Sequence, residues 1–153
     1  MLSDCKRLSI MEELLAYVYL LLEDLIAFDV YENKLNEMFV KDIENEDLIE
    51  LEYLSSSVKD TVVYIRTQID YKTMDINKFG RQLFDLIKPI YNTMDIETFA
   101  NAMYSLWEGL DGNLQDIEPF WTLCYADDPL SWGDEKQTRK IYEEMLAYYD
   151  INC

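Results

Sequence analysis

YKTMDINKFG, from Tyr71 to Gly80, is followed by YNTMDIETFA, from Tyr91 to Ala100. Six positions agree: Tyr71/Tyr91, Thr73/Thr93, Met74/Met94, Asp75/Asp95, Ile76/Ile96 and Phe79/Phe99. Helix capping explains the repeat. With Asp75 as N-cap, its carboxylate accepts the free N–H groups of the next turn and sits at the positive end of the helix dipole. Met74 then precedes the cap and Phe79 is the fourth helical residue, which is a hydrophobic staple. Asp95, Met94 and Phe99 repeat the arrangement. The repeat therefore predicts helices over about 76–87 and 96–109, the first ended by Lys88-Pro89 because proline disfavours helix at the residue before it.

Outward from the repeat the apolar spacing stays helical. Ser9 with Glu12 forms a capping box for a helix over 10–28, and Asp29 with Glu32 a second one for a helix to about Val40. Leu48, Leu51, Leu54, Val58, Val62, Ile65 and Ile69 follow at steps of three and four. Ser55-Ser56-Ser57 is the weak point of that stripe, so residues 46–70 form one helix or two. Gly109, Asp111 and Gly112 end the 96–109 helix. A helix over about 116–125 would carry Pro119 in its first turn, DDPLSWGD reads as a loop, and Asp134 or Ser131 starts the last helix. There Ile141, Met145, Tyr148 and Tyr149 are available to pack. The predicted fold is all-α: a compact single-domain bundle of six to eight helices over residues 1–153.

With 153 residues, half of them apolar, the chain can bury roughly 70% of its unfolded surface without a staple. Cys5, Cys124 and Cys153 lack CxxC spacing and read as reduced thiols of a cytoplasmic protein. The most apolar run, LLAYVYLLL from Leu14 to Leu22, is far short of the ~20 residues that span a bilayer. It is expected to be a buried helix, with no membrane association.

Catalytic signatures are missing. There is no histidine, which removes His-based triads and His-ligated metals. Neither GxxxxGK[ST] nor GxGxxG occurs. DGNLQDIE, from Asp111 to Glu118, fails as a calcium loop: its sixth position is Asp116 where glycine is needed, and its twelfth is Thr122 where glutamate is needed. We expect no enzyme activity, no cofactor and no metal.

Charge is the informative feature. The net charge is −18. Residues 42–52, DIENEDLIELE, hold six acids and no base. From Pro89 to Glu135 there are ten acids and no Lys or Arg, and Trp107, Trp121 and Trp132 all fall in that window. Lys136, Arg139 and Lys140 lie beyond it. One reading is a solubilising acidic surface over a Trp-rich core. The other is a docking face for a basic partner, steered by the acidic field and anchored by aromatic side chains. Direct nucleic-acid binding is disfavoured, because phosphate contacts need clustered Lys and Arg.

In size, acidity, helical pattern and lack of catalytic residues, and in helix starts such as MDIETFANAMYSLW at Met94–Trp107, the chain resembles bacterial immunity proteins. These neutralise nuclease toxins, and include the all-helical colicin-D-like ones and those paired with contact-dependent-inhibition toxins. The resemblance implies a cytoplasmic toxin inhibitor, monomeric or weakly dimeric, that covers the active site or nucleic-acid groove of a basic RNase or tRNase toxin domain. It implies that Glu44, Glu46, Asp47 and Glu50, or Asp111, Asp116, Asp127 and Asp128, pair with Lys and Arg of the toxin, and that Trp132 and Tyr125 anchor the contact. A phage-type nucleic-acid mimic, blocking a nuclease or guide-RNA effector, is the alternative. It predicts a broader face with phosphate-like spacing. A helical small-ligand or scaffold protein is a third reading.

Overall fold

The computed structural model describes residues 2–151, and side chains from 10 to 150. Among these residues the chain is all-α, without a strand. Its backbone packing separates two compact units, Met1–Asp75 and Ile76–Cys153.

The first unit is organised by α1 (Leu2–Leu22). From Met11 to Leu21 every residue but Glu13 is buried. A helix apolar all round must be surrounded, and α2 (Phe28–Lys41) and α4 (Val58–Thr67) pack on it. The expected Ser9 cap is corrected: α1 passes through Ser9, so the turn before it supplies the hydrogen bonds that a cap would replace. Glu12, buried inside α1, accepts the Asp75 N–H at 2.8 Å. α1 also ends earlier than 28. Asp24 takes a left-handed φ of 55°, Leu25 N–H bonds Leu20 O at 2.9 Å and Asp24 N–H bonds Leu21 O at 3.1 Å. This is a Schellman stop with Asp in the usual glycine place.

The second expected capping box is also corrected. α2 starts one residue before Asp29, after Ala27, which makes no side-chain cap bond. The Phe28 ring packs on buried Tyr31 at 5.2 Å, and Asp29 contributes through the helix dipole from the first turn. Residues 46–70 form two helices, α3 (Glu46–Tyr53) and α4, with a 3-10 turn at Leu54–Ser56 between them. Asn45 caps α3, accepting Asp47 and Leu48 N–H at 3.0 and 3.2 Å. Ser57 caps α4 through Asp60 N–H at 3.2 Å. The serine triplet thus restarts the helix instead of continuing it.

The second unit opens with α5 (Ile76–Thr93) and α6 (Ile96–Gly109), directly after the two repeated aspartates. Asp95 accepts Thr98 N–H at 3.0 Å. Hydrogen bonding to the Thr98 side chain first, and to that backbone N–H next, holds its carboxyl below the usual range. Phe79 and Phe99 are both fully buried. Pro89 does not end α5, against expectation. Its ring faces solvent, while Ile87 before it is buried and Tyr91 after it packs edge-on to Phe99 at 5.1 Å. Packing on both sides of the proline outweighs the one lost helical bond.

The expected 116–125 helix is replaced by α7 (Gly112–Gln115) and α8 (Thr122–Tyr125), with turns around a cis Glu118–Pro119 peptide between them. DDPLSWGD contains a helical turn, α9 (Asp128–Ser131). Asp134 then caps α10 (Glu135–Leu146) through Gln137 N–H at 3.1 Å, followed by α11 (Tyr148–Ile151). Met145 and Tyr149 are buried, whereas Ile141 and Tyr148 are half-buried.

Phe79, Phe84, Phe99, Phe120, Tyr142 and Tyr149 form the aromatic part of this unit's core, beside aliphatic side chains such as Leu83, Ile87, Met103 and Leu123. Phe120 stacks on Phe79 at 5.6 Å, and Phe99 meets Tyr142 edge-on at 4.9 Å. A Cβ at Gly80 would overlap the Tyr149 ring and hydroxyl, so glycine is what lets α11 close on α5.

Two outcomes test this packing. Glu12→Ala removes the acceptor of the Asp75 N–H and is expected to cost about 1–3 kcal/mol in denaturant unfolding. The Tyr142 hydroxyl is buried without a hydrogen-bond partner. Tyr142→Phe is therefore expected to leave the melting temperature unchanged or raise it.

Candidate functional site

The sequence-predicted residues are divided between the two units. In the first unit, Glu44 lies exposed in the turn after α2, and Glu46 and Glu50 are exposed on α3. Asp47 is half-buried, and its Oδ1 accepts the Tyr64 hydroxyl at 2.7 Å. That carboxylate ties α3 to α4, unlike its neighbours.

Sequence reasoning missed the apolar residues here. Phe39, Ile49, Glu52 and Tyr53 line a notch of about 230 Å³. Tyr53 is 80% exposed, and Val40 and Ile43 nearby in sequence are 77% and 64% exposed. The signal was in the spacing: Glu46, Ile49, Glu50 and Tyr53 stand at i, i+3, i+4 and i+7, on one face of α3. Leu48 and Leu51 hold the buried face.

In the second unit the tryptophans do not form the core, which corrects the Trp-rich-core reading. Phenylalanine and tyrosine fill that space, leaving Trp121 at 41% and Trp132 at 70% exposure. Trp107 is half-buried. Its Nε1–H donates to Gln115 O at 3.0 Å while Gln115 Nε2 donates to Trp107 O at 3.1 Å. The rings step along the surface: Tyr104 to Trp107 at 5.9 Å, Trp107 to Trp121 at 6.1 Å and Trp121 to Tyr125 at 6.5 Å. Tyr125 belongs to this row. Tyr104 and Trp121 were not among the predicted anchors.

The acids of this surface differ in role. Asp111 caps α7, accepting Asn113 N–H at 2.9 Å. Asp116 and Asp128 are exposed. Asp127 is half-buried in a cleft of about 300 Å³ with Glu97, Asn101 and Ser131. Burial, and to a lesser degree the charge of Asp128, push its carboxyl above the usual range. Glu118 accepts the Thr122 hydroxyl at 2.9 Å. Cys124 beside this surface has its thiol pushed up, by burial first and then by Asp128, so it is a poor nucleophile.

The larger depressions lie elsewhere, along α10. One of about 830 Å³ is lined by Lys136, Arg139, Lys140 and Glu143 among others, and one of about 460 Å³ by Lys88, Tyr91, Arg139 and Asp150 among others. Both are shallow and of mixed charge. Several of their groups are already engaged: Arg139 pairs with Glu135 at 2.9 Å, Lys88 with Asp150 at 3.3 Å, and the Tyr91 hydroxyl donates to Glu143 at 2.9 Å. Volume alone does not make them chemical sites.

Among the described residues, no three metal-ligating side chains come together, and no helix is long and apolar enough to cross a membrane. No protein-family model, curated protein or solved structure matches this chain.

Asp47 and its neighbours are separable by substitution. Asp47→Asn is expected to cost about 1 kcal/mol by weakening the Tyr64 bond. Glu44→Gln and Glu50→Gln are expected to stay within about 0.5 kcal/mol of wild type. Urea unfolding of the three variants checks this.

Proposed function

We propose that this chain is a non-catalytic acidic binding protein that neutralises a basic protein, and that it acts as an immunity protein against a nuclease toxin. The observation that carries the reading is the surface of the second unit. Exposed Trp121 and Trp132 and the Tyr104–Tyr125 ring row lie in a segment with ten acids and no base between Pro89 and Glu135. Indole faces attract guanidinium and ammonium groups, and carboxylates pair with them. A nuclease must carry such groups to hold phosphate, so a surface of this kind can cover the groove where they lie. Aromatic anchors favour this over a nucleic-acid mimic, which needs only a broad array of negative charge. Location in the cytoplasm, where a toxin would have to be met, is part of the proposal.

In this reading Asp116, Asp127 and Asp128 steer the encounter while Trp132, Trp121 and Tyr125 hold the complex. Asp111 contributes charge but is committed to its cap.

The test is capture from the native host at low and high salt, followed by a nuclease assay of the retained chain. A basic nuclease silenced by one equivalent of this protein supports the reading. Failure to retain a nuclease, or one that stays active under excess protein, overturns it. Reversing Asp127 and Asp128 together to Lys is expected to slow association with that nuclease by about tenfold, with steeper loss at low salt. Stopped-flow kinetics measure this, and circular dichroism verifies the fold.

A further inference from the structure

The first unit carries a second surface whose chemistry differs from the tryptophan row. α3 packs its Leu48 and Leu51 face inward. Its opposite face presents Glu46, Ile49, Glu50 and Tyr53, and Tyr53 is 80% exposed. Beside it the Phe39–Ile49–Glu52–Tyr53 notch is open and almost wholly apolar. The surrounding segment 42–52 has six acids and no base. Lys41, the base just before it, is paired with Glu37 at 3.6 Å.

We propose that this face is a docking groove for a cationic amphipathic segment of a protein partner. The segment seats one bulky apolar side chain against Ile49 and Tyr53 and lays Lys or Arg along Glu46, Glu50 and Glu52. Charge selects the occupant. A second copy of this chain would bring the same carboxylates against themselves. An anionic lipid surface or a nucleic acid would be repelled for the same reason. A purely basic, fully polar segment would leave the notch unfilled. A helix with apolar and basic residues on one stripe satisfies both halves of the surface, as groove-bound helices do.

The inference rests on the reading of the chain as an acidic binding protein, but it concerns a different surface, so the two can fail separately. The test uses the intact protein and two synthetic helical peptides of about 18 residues. One carries Lys on one face and Leu with a single Trp on the other. Its control has equal charge, with Ser replacing the apolar residues. Binding is followed by calorimetry at about 0.15 M salt, and the contact is mapped by amide chemical shifts.

The amphipathic peptide is expected to bind at least about tenfold tighter than its control. The strongest shifts are expected in residues 39–53. The double variant Ile49→Ala/Tyr53→Ala, with unchanged melting, is expected to reduce binding to the control level. Equal binding of both peptides overturns the proposal, as does no binding of either. Shifts confined to the second unit, abolished by Trp121→Ala/Trp132→Ala, overturn it too while leaving the proposed function standing.

Discussion

The burial of α1 is the constraint on which the first unit depends. Between Met11 and Leu21 every residue but Glu13 is buried, so the elements that pack on this stretch must present an apolar face to it. α2 and α4 do so. α3 packs on α2 and on the turn that precedes α4. Having a buried face on one side only, it keeps an outward face, and there Ile49 and Tyr53 sit among carboxylates. Glu12 belongs to the same logic. A carboxylate in the buried stretch of α1 is tolerable because it accepts a backbone N–H at Asp75, where the unit closes.

In the second unit the corresponding constraint is aromatic packing. Phe79, Phe84, Phe99 and Phe120 with Tyr142 and Tyr149 fill the interior, and Gly80 gives Tyr149 the room it needs. The tryptophans lie outside this core: Trp107 is fixed by its exchange of hydrogen bonds with Gln115, and Trp121 stands edge-on to it.

The legible parts of the fold were those set by local chemistry. Asp95 and Asp134 cap helices because a carboxylate three residues ahead of a free N–H needs no tertiary context. The break at Ser55–Ser57 follows from serine competing for backbone bonds. Ser9 and Pro89 misled for one reason: each marks a boundary only if nothing else holds the helix, and flanking helix at one and packing at the other hold it. The site was legible as charge and illegible as shape. Acid runs announced two negative surfaces. They did not tell Glu50, free on α3, from Asp47, bound to Tyr64, or Asp128 from the cap Asp111. Ile49 and Tyr53 were hidden because a helix with Leu48 and Leu51 already accounts for its core contacts.

Carboxylates that outnumber bases 31 to 13 repel one another in the folded chain. Ion pairs between exposed groups offset little of this. Those involving Lys34, Lys41, Lys88 and Arg139 connect partly exposed groups, and such pairs are worth at most about 1 kcal/mol each. A basic protein laid on either acidic surface would relieve that repulsion while burying rings and aliphatic carbons that now face water. Under the proposed function, the same charges that weaken the free fold drive the encounter, and added salt acts on the two in opposite directions. It screens the repulsion within the chain and screens the attraction to the partner. What salt leaves nearly untouched is the apolar part of the contact. Persistence of a complex at high salt is therefore the signature of Trp121, Trp132, Ile49 and Tyr53, and fast formation at low salt is the signature of the carboxylates around them.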